Sequence, residues 1–141
     1  MAFNRITLSA GISIALLFML FILNQASAEH FRGHVDVTVG QLSDRTVRGQ
    51  KTFNENCADC HGVNGAGTNV GPPLIHDIYN PGHHSNESFN RAVTQGVQQH
   101  HWPYGDMPPQ KHIRFVDMID IVTFVREVQQ QNGVTYRKHR M

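Results

Sequence analysis

The sequence predicts an all-α fold: about four helices and little sheet. Three observations predict it. The stretch from Ile113 to Gln130 repeats apolar residues at helical spacing, with Phe115, Met118, Ile119, Val122 and Val125 on one face and Ile121, Phe124 and Val128 widening it. A face that wide belongs to a helix buried against another helix. The stretch Asn86–Val93 places Phe89, Ala92 and Val93 together on a second, shorter helix. Strand-like alternation is confined to Val35, Val37 and Val39, interleaved with Asp36 and Thr38.

The first 28 residues stand apart. Arg5 gives a short positive start, Ile12 to Leu23 is an apolar run, and Ala26-Ser27-Ala28 has the small-x-small pattern of a cleavage site. Residues 1–28 therefore read as a secretory signal peptide cut between Ala28 and Glu29. The competing reading is a retained membrane anchor, for which the apolar stretch is marginal against the roughly 20 residues a span needs. Residues 29–44 are expected to be a loosely ordered N-terminal extension.

Ser43 or Asp44 can cap a helix running to about Cys57, with Val47 and Phe53 as its buried positions. Gly62 to Gly71 holds four glycines and is expected to be a loop. It lacks the lysine and the strand-loop-helix setting of a phosphate cradle. Two prolines, Pro72 and Pro73, follow; they remove two N–H donors and leave their carbonyls free to accept. The second helix should stop near Gly96. Gln98 to Pro109 is irregular, with three prolines. Asn132-Gly133 ends the long helix, and 134–141 is a basic tail expected to be solvated.

Between the first helix and the glycine loop lies Cys57-Ala58-Asp59-Cys60-His61. Cys-x-x-Cys-His is the attachment pattern of c-type haem. Two thiols reach the two vinyl groups on one porphyrin edge, and the adjacent imidazole turns under the ring to iron. A bare Cys-x-x-Cys would also suit a disulfide oxidoreductase or half a zinc site. The chain has only two cysteines, which excludes a four-cysteine zinc site, and no strand obviously precedes the motif.

An imidazole-bound iron that only moves electrons needs a sixth ligand, and a thioether raises the potential relative to a second imidazole. Beyond residue 28 the methionines are Met107, Met118 and Met141. Met118 sits on the apolar helix face and reads as core; Met141 is terminal. Met107 lies in Gly105-Asp106-Met107-Pro108-Pro109, a stiffened loop, and is the expected axial ligand opposite His61. A histidine from His100-His101 is the alternative. The pairs His83-His84 and His100-His101 could instead bind copper, zinc or nickel, but adjacent residues diverge, so a pair chelates poorly unless both pairs converge. Solvated histidines are the simpler expectation. Trp102 either borders the cofactor or packs within its loop.

From Val47 to Gly133 the chain resembles a small monohaem class I c-type cytochrome, His/Met-ligated. Gly49, eight residues before Cys57, matches the family glycine at which the terminal helices cross, with Ile121 and Phe124 as its partners. Gly71-Pro72-Pro73-Leu74 matches a Gly-Pro-x-Leu motif, and Gly96 with Met107-Pro108 matches a glycine followed by Met-Pro. The resemblance implies a cytochrome c fold over 45–133, built around one haem c held covalently through two thioethers. It implies that Pro72 accepts from the Nδ1–H of His61, so that the cofactor-binding set is Cys57, Cys60, His61, Pro72 and Met107, with His61 and Met107 on iron. Export to the periplasm fits, because such haems are attached on the outer face of the membrane.

Twelve basic residues meet 11 acidic ones, and removing Arg5 makes them equal. Nothing favours nucleic acid, which would want a basic stripe. There is no apparent nucleophile–base pair, so no enzyme activity is expected. The chain reads as a monomeric one-electron carrier of a respiratory-type chain, with redox proteins as donor and acceptor and the membrane touched only through an uncleaved N-terminal segment. The alternatives are a haem subunit of a dehydrogenase or reductase complex, and a metal or ligand sensor using the histidine pairs or an open iron.

Overall fold

The computed structural model describes residues 34–138. The expected signal segment, the expected Ala28–Glu29 cleavage point and Met141 lie outside the described residues. Among the described residues there are four α-helices and no strand: α1 (Asp44–Asn56), α2 (Ala58–His61), α3 (Asn86–Gln95) and α4 (Phe115–Gln131). Short 3₁₀ turns occupy Val63–Gly65 and Asp77–Tyr79. The all-α expectation holds. None of these helices is long and apolar enough to cross a membrane.

The fold rests on the crossing of α1 over α4. A Cβ at Gly49 would fall on the backbone carbonyl of Asp120 and within 3.0 Å of Phe124 Cβ, so only glycine lets the two backbones approach. Phe53 and Phe124 meet beside it, ring centroids 5.5 Å apart. They join Leu74, Ile75, Ile121, Val125 and Val128 in the buried core. Burying such side chains is worth roughly 1.5–3 kcal/mol each before the entropy cost of ordering them.

Two apolar positions behave otherwise than their type suggests. Val47 is 51 % exposed, and Thr46 and Gly49 take the buried positions beside Phe53. Two residues along a helix turns a side chain by ~200°, so a helix seated on Gly49 points Val47 away. Phe115 opens α4 five residues before the crossing at Asp120 and is 69 % exposed, while Ile121, Phe124 and Val128 form the centre of the face.

Polar residues fix the ends. Ser43 caps α1, its hydroxyl accepting from the Thr46 N–H. Glu127 on α4 accepts from the Ser43 N–H at 3.1 Å and from the Thr46 hydroxyl, and those bonds hold its carboxyl below the usual range, the Thr46 bond foremost. Asp120 is nearly buried, with Arg45 Nε 3.0 Å from one oxygen and Arg48 Nε donating to the other at 3.2 Å.

The segment before α1 is firmly held, contrary to the expectation of a loose extension. Val35, Val37 and Val39 pack against the core while their neighbours are exposed. The backbone stays extended without a strand partner: Val35 N–H donates to Ala66 O, Thr38 N–H to Asn132 Oδ1 and Gly40 N–H to Gln131 Oε1. The start of the C-terminal tail is also tied down. Val134 is buried, and Arg137 donates from its backbone to Asn80 Oδ1 and from its side chain to Asp77 at 2.8 Å.

Candidate haem site

The Cys-x-x-Cys-His stretch folds as the end of α1 and the single turn of α2. Cys57 is the hinge between them: its N–H still bonds to Phe53 O, and its carbonyl accepts from Cys60 and His61 N–H. That turn brings Cys57, Cys60 and His61 to the lining of one small cavity. The cysteines are not bonded to each other. Burial, then the neighbouring Cys60, pushes the Cys57 thiol up to about 11. Such a thiol stays protonated, unlike the low-pKa nucleophile of a disulfide oxidoreductase.

His61 Nδ1 donates to Pro72 O at 2.9 Å, which leaves Nε2 with the lone pair. Burial holds this imidazole below its usual range, against the pull of that bond, so it is neutral. The glycine loop brings the proline into place. It is a loop, as expected, with one short 3₁₀ turn at Val63–Gly65. At Gly71 a Cβ would fall on the Cys60 carbonyl, so the loop can double back under the motif only with glycine there.

His61 faces a cavity of about 630 Å³. Phe53, Leu74, Ile121 and Val125 form its floor, and Phe89, Ala92 and Val93 of α3 form its side. No residue of α3 is fully buried, because its apolar face is turned to this cavity and not to the helix crossing. Met107 borders the same cavity, held by an isolated bridge in which Val97 and Met107 exchange both backbone bonds at 2.9 Å. A second, smaller cavity is lined by Cys57, Cys60, His61, Pro72 and Met107. His61 and Met107 thus border both spaces, whereas His84, His100 and His101 border the larger one alone.

These residues fit a haem. The space is of cofactor size and mostly apolar. Cys57, the tautomerically fixed His61 and the thioether of Met107 border that space, and the second free thiol, Cys60, borders the smaller one beside it. Trp102, on the cavity lining, has a buried Nε1–H that makes no well-formed hydrogen bond, the kind of donor a cofactor carboxylate would take. It lies by the Tyr79 hydroxyl, which burial pushes up to about 12 despite that N–H. Trp102 also meets His76 edge-on, centroids 5.3 Å apart.

Two polar residues that carried no sequence signal shape this side of the molecule. Gln129, wholly buried, donates to Leu74 O at 2.7 Å and Tyr79 O at 3.0 Å. Arg126 donates to Tyr79 O at 2.7 Å, to Asn86 Oδ1 at 2.8 Å, to Gln129 Oε1 and to His84 O, and lies over the Phe89 ring. Burial lowers its guanidinium to about 10. Both sit on the long helix among apolar neighbours, where periodicity alone reads them as its solvent edge.

Comparison with known families matches residues 46–129 to the family described as Cytochrome c. No curated protein and no solved structure matches the chain.

Proposed function

The chain belongs to the cytochrome c family, and on that premise we propose that it is an exported one-electron carrier with one covalently attached haem c and His/Met axial ligation. The family membership makes it a haem-based electron-transfer protein with a cytochrome c fold. A haem supplies an iron that passes between ferrous and ferric by one electron.

This chain's residues would do the rest. Cys57 and Cys60 would hold the porphyrin edge, each through one thioether formed by adding its S–H across a vinyl group. Nothing is oxidised in that addition. His61 presents Nε2 because Pro72 O holds Nδ1–H, a bond that also raises ligand basicity. Met107 offers a soft sulfur, which favours the ferrous state and a high potential. The apolar floor excludes water and preserves that preference.

The observation that carries the reading is the sharing of both cavities by His61 and Met107, with Cys57 beside them. Export to the periplasm rests on the Ala26-Ser27-Ala28 pattern, and redox proteins would be donor and acceptor, with no substrate bond broken. The test is mass spectrometry of the mature protein together with a redox titration followed in the visible spectrum. One added haem, no free thiol, a chain beginning at Glu29 and a single one-electron wave are expected. Two free thiols, or a Cys57–Cys60 disulfide without haem, overturn the reading.

A further inference from the structure

The two histidine pairs converge, against the expectation that they are separately solvated. One nitrogen from each of His83, His84 and His101 lies within 4.8 Å of the others. His83 Nε2 and His101 Nε2 are 3.1 Å apart. Two nitrogens each about 2.0–2.1 Å from one metal ion are separated by roughly 2.9 Å at a right angle and about 3.3 Å at a tetrahedral angle. The observed separation falls between those values. The His100 ring stacks 6.0 Å from His84 and lies 4.3 Å from His101, so a fourth imidazole borders the group.

The scaffold under these rings is built. Asn80, buried, accepts at its backbone oxygen from the N–H of both His83 and His84, at 3.0 and 2.9 Å. Its side chain donates to Asp77 O and accepts from Gly82 and Arg137 N–H, so the C-terminal strap closes over the turn. Arg126 holds the His84 carbonyl from α4. His84 Nδ1 donates to Ile78 O at 2.7 Å, and His100 Nδ1 to Gln98 O at 2.8 Å. Each of these bonds fixes the tautomer with the lone pair on Nε2, as for metal-ligating histidines generally.

We propose that His83, His84 and His101 form a binding site for one borderline transition-metal ion at the rim of the haem cavity, with His100 as an adjacent ligand and copper(II) as the tightest-bound divalent ion. Three imidazoles suit copper, nickel and zinc, and copper(II) stands highest among divalent ions at such a site. Among the described residues the cluster is made of imidazoles alone, a donor set unlike the oxygen ligands that calcium and magnesium take.

The proposal requires of the haem only that His101 is not its axial ligand. Its test is equilibrium dialysis of the tag-free haem-loaded protein against copper(II) at neutral pH, with electron paramagnetic resonance of the bound ion. One equivalent per chain with nitrogen hyperfine structure is expected. His83→Gln and His101→Gln should each weaken binding by at least roughly tenfold, while His112→Gln, outside the cluster, leaves it unchanged. The haem spectrum should be the same in all three variants, which also shows that they fold. Absence of a stoichiometric ion overturns the proposal, as does equal binding by His83→Gln and His101→Gln together. A changed haem spectrum in His101→Gln overturns it too, since that histidine would then serve the haem iron.

Discussion

Gln129 Nε2 donates to the carbonyl oxygen of Leu74 over 2.7 Å inside a fully buried environment. The same amide reaches Tyr79 O and accepts from Arg126, so its hydrogen-bonding capacity is used on both ends. Gln129→Leu keeps comparable bulk but strands the Leu74 carbonyl, while Tyr79 O keeps its bond from Arg126. An unsatisfied buried polar group costs about 1–3 kcal/mol. Denaturant unfolding of the haem-loaded variant should show a loss of that order; a midpoint equal to the unmodified protein's would mean that the loop holds without the amide.

Gly49 makes the second prediction. Any side chain there meets the Asp120 carbonyl, which belongs to the helix backbone and cannot swing aside. Gly49→Val should cost about 1–3 kcal/mol or more through overpacking. Thermal unfolding measures it, and unchanged stability would place the helix crossing elsewhere.

The third concerns acid. The folded-state pKa of Glu127 is depressed, chiefly by Thr46 and then by Ser43. A depressed carboxyl contributes stability above its unfolded pKa and loses it as pH falls through the folded value. Glu127→Gln should therefore be less stable near neutrality, by about 1 kcal/mol given the site's exposure. The difference from the unmodified protein should close as pH drops below the ordinary glutamate range. A gap that persists in strong acid would show that packing, and not charge, is lost.

The fourth concerns Met107. Met107→Ala should lower the potential, and an open sixth position should bind carbon monoxide. Met118→Leu should do neither, because Met118 is core at 5 % exposed and leucine conserves its volume. The weak near-infrared band of ferric iron bound to a thioether should vanish in the first variant and persist in the second. The reverse pattern would transfer the ligand role to Met118, and absence of the band from the unmodified protein would favour a histidine.

The parts legible in the sequence are those whose chemistry imposes a spacing. The spacing of Cys57, Cys60 and His61 is the one a porphyrin edge would impose, Gly49 is set by a close backbone approach, and Phe124 by its place against that glycine. Helix ends were legible where capping is local, at Ser43 and Asn132. The depth of a residue was less so, because it depends on where a partner lies: Thr46 is buried and Val47 exposed on adjacent positions of one helix. Long-range polar ties left no local pattern. Asp120 is bound by arginines 75 and 72 residues earlier, and the histidine pairs meet across a loop and a helix. The valines before α1 showed the right alternation, but what they pack against could not be read from it.

The two walls of the haem cavity also differ in how firmly they are anchored. The wall bearing Cys57 and His61 continues directly from α1 and shares its crossing with α4, so it can loosen only when the core loosens. The wall bearing Met107 is held by the two-bond bridge to Val97, by exposed bonds from Gln99 N–H to Asp106 and from Gly105 N–H to Gln99, and by Gln110 N–H to Val93 O, behind a helix with no fully buried residue. Local opening takes the route that breaks the fewest buried contacts. Amide exchange should therefore run fastest through α3 and the 97–107 loop, so that under the proposed ligation Met107 would be released while His61 and the rest of the fold stay closed.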